Sequence, residues 1–138
     1  MTEWAWPILE AVIDFQEEQI DEHGGLHGLK NLGALEAALA RPRQRAIYGE
    51  PVPDAAELAA TLAHGLVKAH AFNDGNKRIA WVIANLFLIQ NGVDVVFAEQ
   101  EAIDTMCALA AGEFSEGQMA DWFRERTLIS AQSSPSLR

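Results

Sequence analysis

The amino-acid sequence predicts an all-α fold, a bundle of six helices with one helix buried at its centre. Apolar residues recur at helical spacing through the chain, and capping or glycine signals separate the apolar segments. The chain has 138 residues, 49% of them apolar, which is enough for one core without disulfide bridges. We expect one domain over residues 1–129, followed by a flexible tail over residues 130–138.

The first helix is expected to begin near Pro7 and to end before His23, where two glycines follow. Residues 24–33 then predict a glycine-rich loop. The apolar positions within 35–39 suit a short second helix that Pro42 closes, because proline lacks an amide hydrogen and clashes with the preceding turn.

Residues 43–53 predict a loop, because glycine and proline punctuate them. Asp54 and Glu57 have the spacing of a capping box and predict the start of the third helix. A fourth helix is expected to run from about Asn76 to Asn91. This helix is apolar on nearly every side, so we predict that it is the buried central helix.

Residues 93–98 suit a short strand or an extended link before the fifth helix, which is expected to end before Gly112. Ser115 and Gln118 form a second capping box, which predicts the start of the sixth helix. The inner face of that helix is expected to carry Met119, Trp122 and Phe123.

The net charge of −10 and the pI of about 4.7 argue against general nucleic-acid binding, which depends on excess lysine and arginine. Residues 41–78 differ from the rest, because they include six basic and four acidic side chains. This local excess of positive charge suggests a pocket for a small anion, although ordinary solvated charges would give the same pattern.

The sequence predicts neither a membrane span nor export. The longest apolar stretch, residues 79–89, is too short to cross a bilayer, which needs about 20 residues. The amino terminus lacks the basic and apolar regions of a signal peptide. A single cysteine, Cys107, excludes an internal disulfide and fits a reducing compartment, so we expect a cytoplasmic protein.

Residues 70–78 give the strongest chemical signal, as a loop that leads into the amino end of the predicted central helix. The first turn of a helix has free backbone N–H groups and a partial positive charge, and both favour bound phosphate. Gly75 would let a ligand approach the backbone, and Asn76 would add an amide donor. Lys77 and Arg78 would add fixed positive charge.

Two further residues of this segment could take part in a reaction, one as a metal ligand and one as a base. Asp74 is its one carboxylate and would hold Mg²⁺ together with phosphate oxygens. His70 lies at the exit of the third helix, where a neutral imidazole could accept the proton of a hydroxyl nucleophile. Each residue alone is also typical of a helix cap, a turn or a pair of solvent-exposed charges. The prediction of an active site therefore depends on their combination.

Residues 70–78 read His-Ala-Phe-Asn-Asp-Gly-Asn-Lys-Arg, and this run resembles the signature of the Fic/Doc superfamily, His-x-Phe-x-Asp/Glu-Gly-Asn-x-Arg. It is more similar to the Doc (death-on-curing) branch, in which the run ends Asn-Lys-Arg. Residues 23–28, 46–48 and 87–93 also resemble Doc proteins. The similarity therefore covers roughly residues 8–127.

This resemblance implies a six-helix Fic fold and the toxin of a toxin–antitoxin pair. It implies that His70 deprotonates the hydroxyl of a target and that Asp74 positions Mg²⁺. It also implies that nucleotide phosphates bind to Gly75, Asn76, Lys77 and Arg78.

The residue at position 77 separates two possible reactions. Fic adenylyltransferases usually have glycine there, which leaves room for the α-phosphate, whereas Doc proteins resemble this chain with Lys77 and act as kinases. The resemblance therefore favours transfer of the γ-phosphate of ATP to a Ser or Thr hydroxyl of elongation factor Tu, which blocks translation. Gly75 is the Fic-like residue where Doc proteins often have alanine, so AMP transfer stays open.

Control by a separate protein is the expected arrangement. Many Fic enzymes carry an inhibitory helix with the pattern Ser/Thr-x-x-x-Glu-Gly/Asn, and this sequence has no such run. The resemblance thus implies a small Phd-type antitoxin whose C-terminal segment docks beside the active site. A catalytically idle module that only binds its antitoxin is a third hypothesis. The sequence leaves open whether the nucleotide or the target contacts Lys68, Arg43 or Arg45.

Overall fold

The computed structural model describes residues 3–133, and in this range the chain forms six α-helices and no strand. The helices are α1 (Leu9–His23), α2 (Leu32–Tyr48), α3 (Ala55–Ala69), α4 (Asn76–Gln90), α5 (Glu99–Ala110) and α6 (Glu116–Ser133). The predicted all-α class is confirmed, and residues 93–98 are an irregular link between α4 and α5. Across the described range, no helix has both the length and the apolar character that a membrane span requires.

Helix α3 is the most enclosed element of the described chain. Its alanines and leucines are buried on almost every side, and α2, α4, α5 and α6 pack against it. The predicted capping box begins this helix, because Asp54 Oδ1 accepts from Glu57 N at 2.9 Å and Glu57 Oε1 accepts from Asp54 N at 3.4 Å. The bundle therefore has a buried central helix, as predicted, but that helix is α3.

Helix α4 has nearly the predicted bounds but is buried on one face only. Ile79, Ile83 and Phe87 lie in the core, whereas Ile89 on the opposite side is 57% exposed. An almost uniformly apolar sequence suggests a central position, yet burial depends on how many neighbours pack around the helix. Here α1, α3 and α5 pack along α4, and Trp81 of α4 contacts two aromatic rings of α6, but part of α4 remains in solvent.

Helix α2 is longer than predicted. It contains Pro42 and continues to Tyr48, so the predicted end at Pro42 and most of the predicted loop over 43–53 are wrong. An interior proline costs about 3 kcal/mol through a lost hydrogen bond and a steric clash. The helix continues because Pro42 packs into the core and Arg45, one turn later, donates to Thr61 Oγ1 of α3 at 2.7 Å.

Helix α6 begins at the predicted capping box. Ser115 N donates to Gln118 Oε1 at 2.7 Å, and Gln118 N donates to Ser115 Oγ at 3.0 Å. Its buried inner face carries the predicted Met119, Trp122 and Phe123. The helix extends to Ser133, so the first part of the expected tail is helical, and residues 134–138 lie outside the described range.

Glu116 ties the amino end of α6 to α2 and α3. Its Oε1 accepts from Arg41 Nη1 at 2.6 Å, and its Oε2 accepts from Thr61 Oγ1 at 2.7 Å and Arg45 Nη1 at 3.3 Å. Burial by itself raises the pKa of the Glu116 carboxyl, but hydrogen bonds from Thr61 and Arg41 outweigh burial and lower that pKa below its ordinary value. The ionised carboxylate therefore stabilises the folded chain.

Replacement of Glu116 by glutamine is expected to reduce stability at neutral pH, because the amide loses the charge that pairs with Arg41 and Arg45. The deficit should stay constant above the ordinary glutamate pKa of 4.5 and shrink as the pH falls below it, since a carboxyl with a lowered pKa loses its contribution as it is protonated in the folded chain. Urea unfolding at several pH values measures this change. Glu113→Gln, at an exposed position just before α6, is the matched control. A deficit that stays constant across the pH range would contradict the prediction.

Candidate active site

His70 caps the carboxyl end of α3 in a left-handed backbone conformation, with φ 46° and ψ 45°. It is the only non-glycine residue within residues 3–133 that has a positive φ. Such a conformation costs an ordinary side chain about 1–2 kcal/mol, and strained residues concentrate at functional sites. The imidazole is exposed to solvent, where a substrate can reach it.

Asn76, the first residue of α4, braces the loop that joins the two helices. Its Oδ1 accepts from Phe72 N at 3.1 Å, and its Nδ2 donates to Phe72 O at 3.0 Å. One hydrogen of this amide is therefore engaged with the loop, and the second remains for the expected bond to phosphate. Its backbone N–H has no acceptor among the residues that the structure describes and remains available.

Asp74 is half-buried and is held by two residues that the sequence did not connect with it. Its Oδ2 accepts from Leu26 N at 2.7 Å, and its backbone O accepts from Gln16 Nε2 at 3.2 Å. Gln16 is buried in α1, on the same face as Val12 and Ile20. The sequence does contain a signal for Gln16, because this polar residue lies at helical spacing between Val12 and Ile20. A polar side chain that is buried with core residues requires a hydrogen-bond partner.

Residues 24–31, called the glycine strap here, run alongside the active-site loop in the antiparallel sense. Lys30 N donates to Ala71 O at 2.8 Å, and Asn73 N donates to Gly28 O at 3.0 Å. The sequence predicts a loop in this region but no contact with the site. These backbone hydrogen bonds join the strap and the active-site loop into one unit.

The amino end of α4 is open to a ligand. The backbone N–H groups of Asn76, Lys77 and Arg78 have no acceptor in the described part of the chain. Gly75 precedes them with a φ of 79°, a conformation that glycine adopts without strain. The side chains of Lys77 and Arg78 are exposed and form no ion pair with a described carboxylate. Free amides, the helix dipole and two cations together suit a phosphate-bearing ligand.

The other basic residues of the middle section have different partners. Arg41 and Arg45 are engaged by Glu116, at the junction of α2, α3 and α6. Arg43 lies over a tryptophan ring, 5.8 Å from its centroid. Lys68 Nζ donates to a backbone carbonyl at the end of α5, at 3.4 Å. The local excess of positive charge is thus divided between structural contacts and the open end of α4.

The donor set of the site fits Mg²⁺ only in combination with phosphate. Within residues 3–133, no group of three or more histidine, cysteine, aspartate or glutamate side chains could enclose a metal ion. Mg²⁺ is usually held by one or two carboxylates and takes its other ligands from phosphate oxygens and water. Asp74 meets this requirement, because its Oδ1 has no hydrogen-bond partner among the described residues.

Comparisons with known proteins point to one family. A model of the Fic/DOC family matches residues 6–88, which include the whole segment 70–78. The Protein kinase doc of Escherichia phage P1 is 38% identical over 115 residues, which cover 83% of this chain and 90% of that protein. The Toxin Doc of Mycolicibacterium smegmatis is 41% identical over 90 residues, which cover 63% of this chain and 68% of that protein.

His70→Gly is expected to be more stable than His70→Ala by about 1 kcal/mol, because only glycine adopts the left-handed conformation without a Cβ penalty. Chemical denaturation of the two variants measures this difference. Ala37→Gly, at an exposed position inside α2, is the control and should lose about 1 kcal/mol, because glycine disfavours a regular helix. Equal stability of the two His70 variants would show that the backbone is unstrained there.

Proposed function

The chain belongs to the Fic/DOC family and is related to its Doc toxins, and we propose that it is the toxin of a type II toxin–antitoxin pair. In this proposal it is a Mg-ATP-dependent protein kinase of the cytoplasm. It phosphorylates a Ser or Thr hydroxyl of elongation factor Tu and so blocks translation. The name of the phage relative, Protein kinase doc, supports a kinase. The observation that carries the proposal is the set of free N–H groups at the amino end of α4, joined by one short loop to an exposed histidine at the end of α3.

The amino end of α4 is proposed to bind the triphosphate of ATP. Gly75 has no Cβ, so phosphate oxygens can approach the backbone closely. The free N–H groups of Asn76, Lys77 and Arg78 would donate to these oxygens. The ammonium of Lys77 adds a point charge, and the guanidinium of Arg78 can donate two parallel hydrogen bonds to one phosphate.

His70 is proposed to act as the general base. Its neutral imidazole takes the proton of the attacking hydroxyl while that oxygen bonds to the γ-phosphorus and the bond to ADP breaks. Exposure of the imidazole suits a protein substrate, whose hydroxyl must reach it from outside. Asp74 would hold Mg²⁺, which when bound neutralises phosphate charge and orients the phosphates.

AMP transfer is the second candidate, and Gly75 favours it as the residue more typical of Fic adenylyltransferases. Both reactions would use the same base and the same helix end. Lys77 favours the kinase, because the family resemblance implies a side chain where adenylyltransferases leave room for the α-phosphate. The size of the side chain at position 77 is therefore the feature that separates the kinase from the adenylyltransferase.

A Phd-type antitoxin is the proposed partner. The name of the mycobacterial relative, Toxin Doc, supports a partner of this kind, because such toxins are paired with antitoxins. The net charge of −10 also favours association with a basic segment of that partner. Its C-terminal segment is expected to dock beside the active site. The third hypothesis, a catalytically idle module, shares this partner and differs from the toxin only in lacking catalysis.

Incubation with ATP, Mg²⁺ and elongation factor Tu, followed by mass spectrometry of the factor, tests the reaction. A gain of one phosphate mass supports the kinase, and a gain of one AMP mass supports the second candidate. Lys77→Gly should shift the product toward AMP transfer if side-chain bulk sets the orientation of the nucleotide. Lys77→Ala, which removes the charge but keeps Cβ, controls for the loss of charge. An unmodified factor would contradict both enzymatic candidates.

His70→Ala is expected to lower the transfer rate about 10²–10⁴-fold, which is the usual contribution of a general base. Growth arrest should disappear, while co-purification with the antitoxin persists. His64→Ala is the matched control, because this half-buried histidine of α3 faces Glu116 and not α4, and it should still arrest growth. Arrest by His70→Ala at the wild-type level would favour the idle module.

A further inference from the structure

The carboxylate of Asp74 is held through one of its two oxygens. Oδ2 accepts the N–H of Leu26 at 2.7 Å, a short hydrogen bond that the carboxylate charge strengthens. The backbone carbonyl of the same residue accepts from buried Gln16. Backbone and side chain are thus both anchored. Oδ1, which has no protein partner in the described range, is left for a ligand.

Gly25 is the residue that allows the strap to close onto this carboxylate. A Cβ at Gly25 would lie 3.2 Å from Asp74 Oδ2 and 3.3 Å from Asp74 Cβ. The preceding residue, Gly24, also has a positive φ, but a Cβ there would meet nothing within 4 Å. The close approach to Asp74 is therefore specific to position 25.

Contacts on the other side of the strap keep this arrangement in place. Asn73 N donates to Gly28 O, and Asn73 Nδ2 donates to His27 O, each at 3.0 Å. The amide of Leu26 could move away from Asp74 only by disturbing these neighbouring bonds. The strap is thus a fixed part of the site, although it lies more than 40 positions away in sequence.

We infer that Gly25 and the Leu26 amide are positioning groups for a divalent cation, because they orient Asp74 so that its Oδ1 is free for the ion that accompanies ATP. This inference rests on the proposed function and extends it from the segment 70–78 to the strap. Groups that orient a metal ligand typically change metal affinity 10–100-fold when they are removed. The effect is expected in binding of the ion itself, before any transfer reaction.

Titration of the full chain with Mn²⁺ in the presence of ATP, followed by electron paramagnetic resonance, tests this inference without measuring activity. Gly25→Ala is expected to weaken Mn²⁺ binding about 10–100-fold, because the new Cβ displaces the strap or the carboxylate. Gly24→Ala carries a similar backbone strain without the contact and should bind Mn²⁺ as the wild type does. Wild-type binding by Gly25→Ala, or equal weakening by Gly24→Ala, would overturn the inference.

A second pair of variants changes Leu26 and leaves Gly25 in place, because a new Cβ at position 25 would also crowd Ile20. Leu26→Pro lacks the N–H that Asp74 accepts, whereas Leu26→Ala keeps it. The side chain of Leu26 is 67% exposed, so its truncation alone should leave binding unchanged. Only Leu26→Pro is expected to weaken Mn²⁺ binding, and equal binding by the two variants would count against the inference.

Asp74→Asn distinguishes failure of the inference from failure of the proposed metal site. If Asp74→Asn, Gly25→Ala and Leu26→Pro each bind Mn²⁺ more weakly than the wild type, the metal site and the role of the strap are both supported. Weakening by Asp74→Asn alone retains the metal site and rejects the role of the strap. Unchanged binding by Asp74→Asn rejects the metal site, and the inference about the strap with it.

Discussion

The unpaired backbone amides at the amino end of α4 are the constraint on which the rest of the site depends. A helix leaves its first N–H groups without internal partners, and a capping side chain usually satisfies some of them. In this chain the capping residue is Gly75, which has no side chain. The side-chain amide of the next residue, Asn76, bonds to the backbone of Phe72 and does not cap the helix. The helix end therefore stays open to a ligand, and the loop, the strap and α1 hold it in shape.

The bundle separates charges that stabilise the fold from charges that remain for a ligand. Arg41 and Arg45 are neutralised by Glu116 where α2, α3 and α6 meet. Lys77 and Arg78 have no carboxylate partner among the residues described. In a chain with a net charge of −10, two such cations beside free amides form a local positive site. An anion is attracted to that end of α4, and both transfer reactions considered for this family require that anion.

Much of this protein was determined by the sequence alone, because the relevant signals are local. The capping boxes at Asp54 and Ser115 depend on residues three positions apart, and both are present in the structure. The segment 70–78 could be recognised for the same reason, since its chemistry and its family signature lie within nine consecutive residues. The bounds of α4 followed from a mostly apolar segment and a glycine beyond its end.

Contacts between distant positions were decided only by the tertiary structure. Helix α2 continues through Pro42 because packing against α3 outweighs a local cost that any sequence rule assigns to proline. The side chain of Asn76 also holds the backbone of Phe72 through two hydrogen bonds, a contact that the residue types alone did not predict. The bond from Leu26 to Asp74 joins residues 48 positions apart, and no spacing rule extends that far. Residue patterns specify which groups are present and which helices form, whereas packing of those helices decides which groups meet.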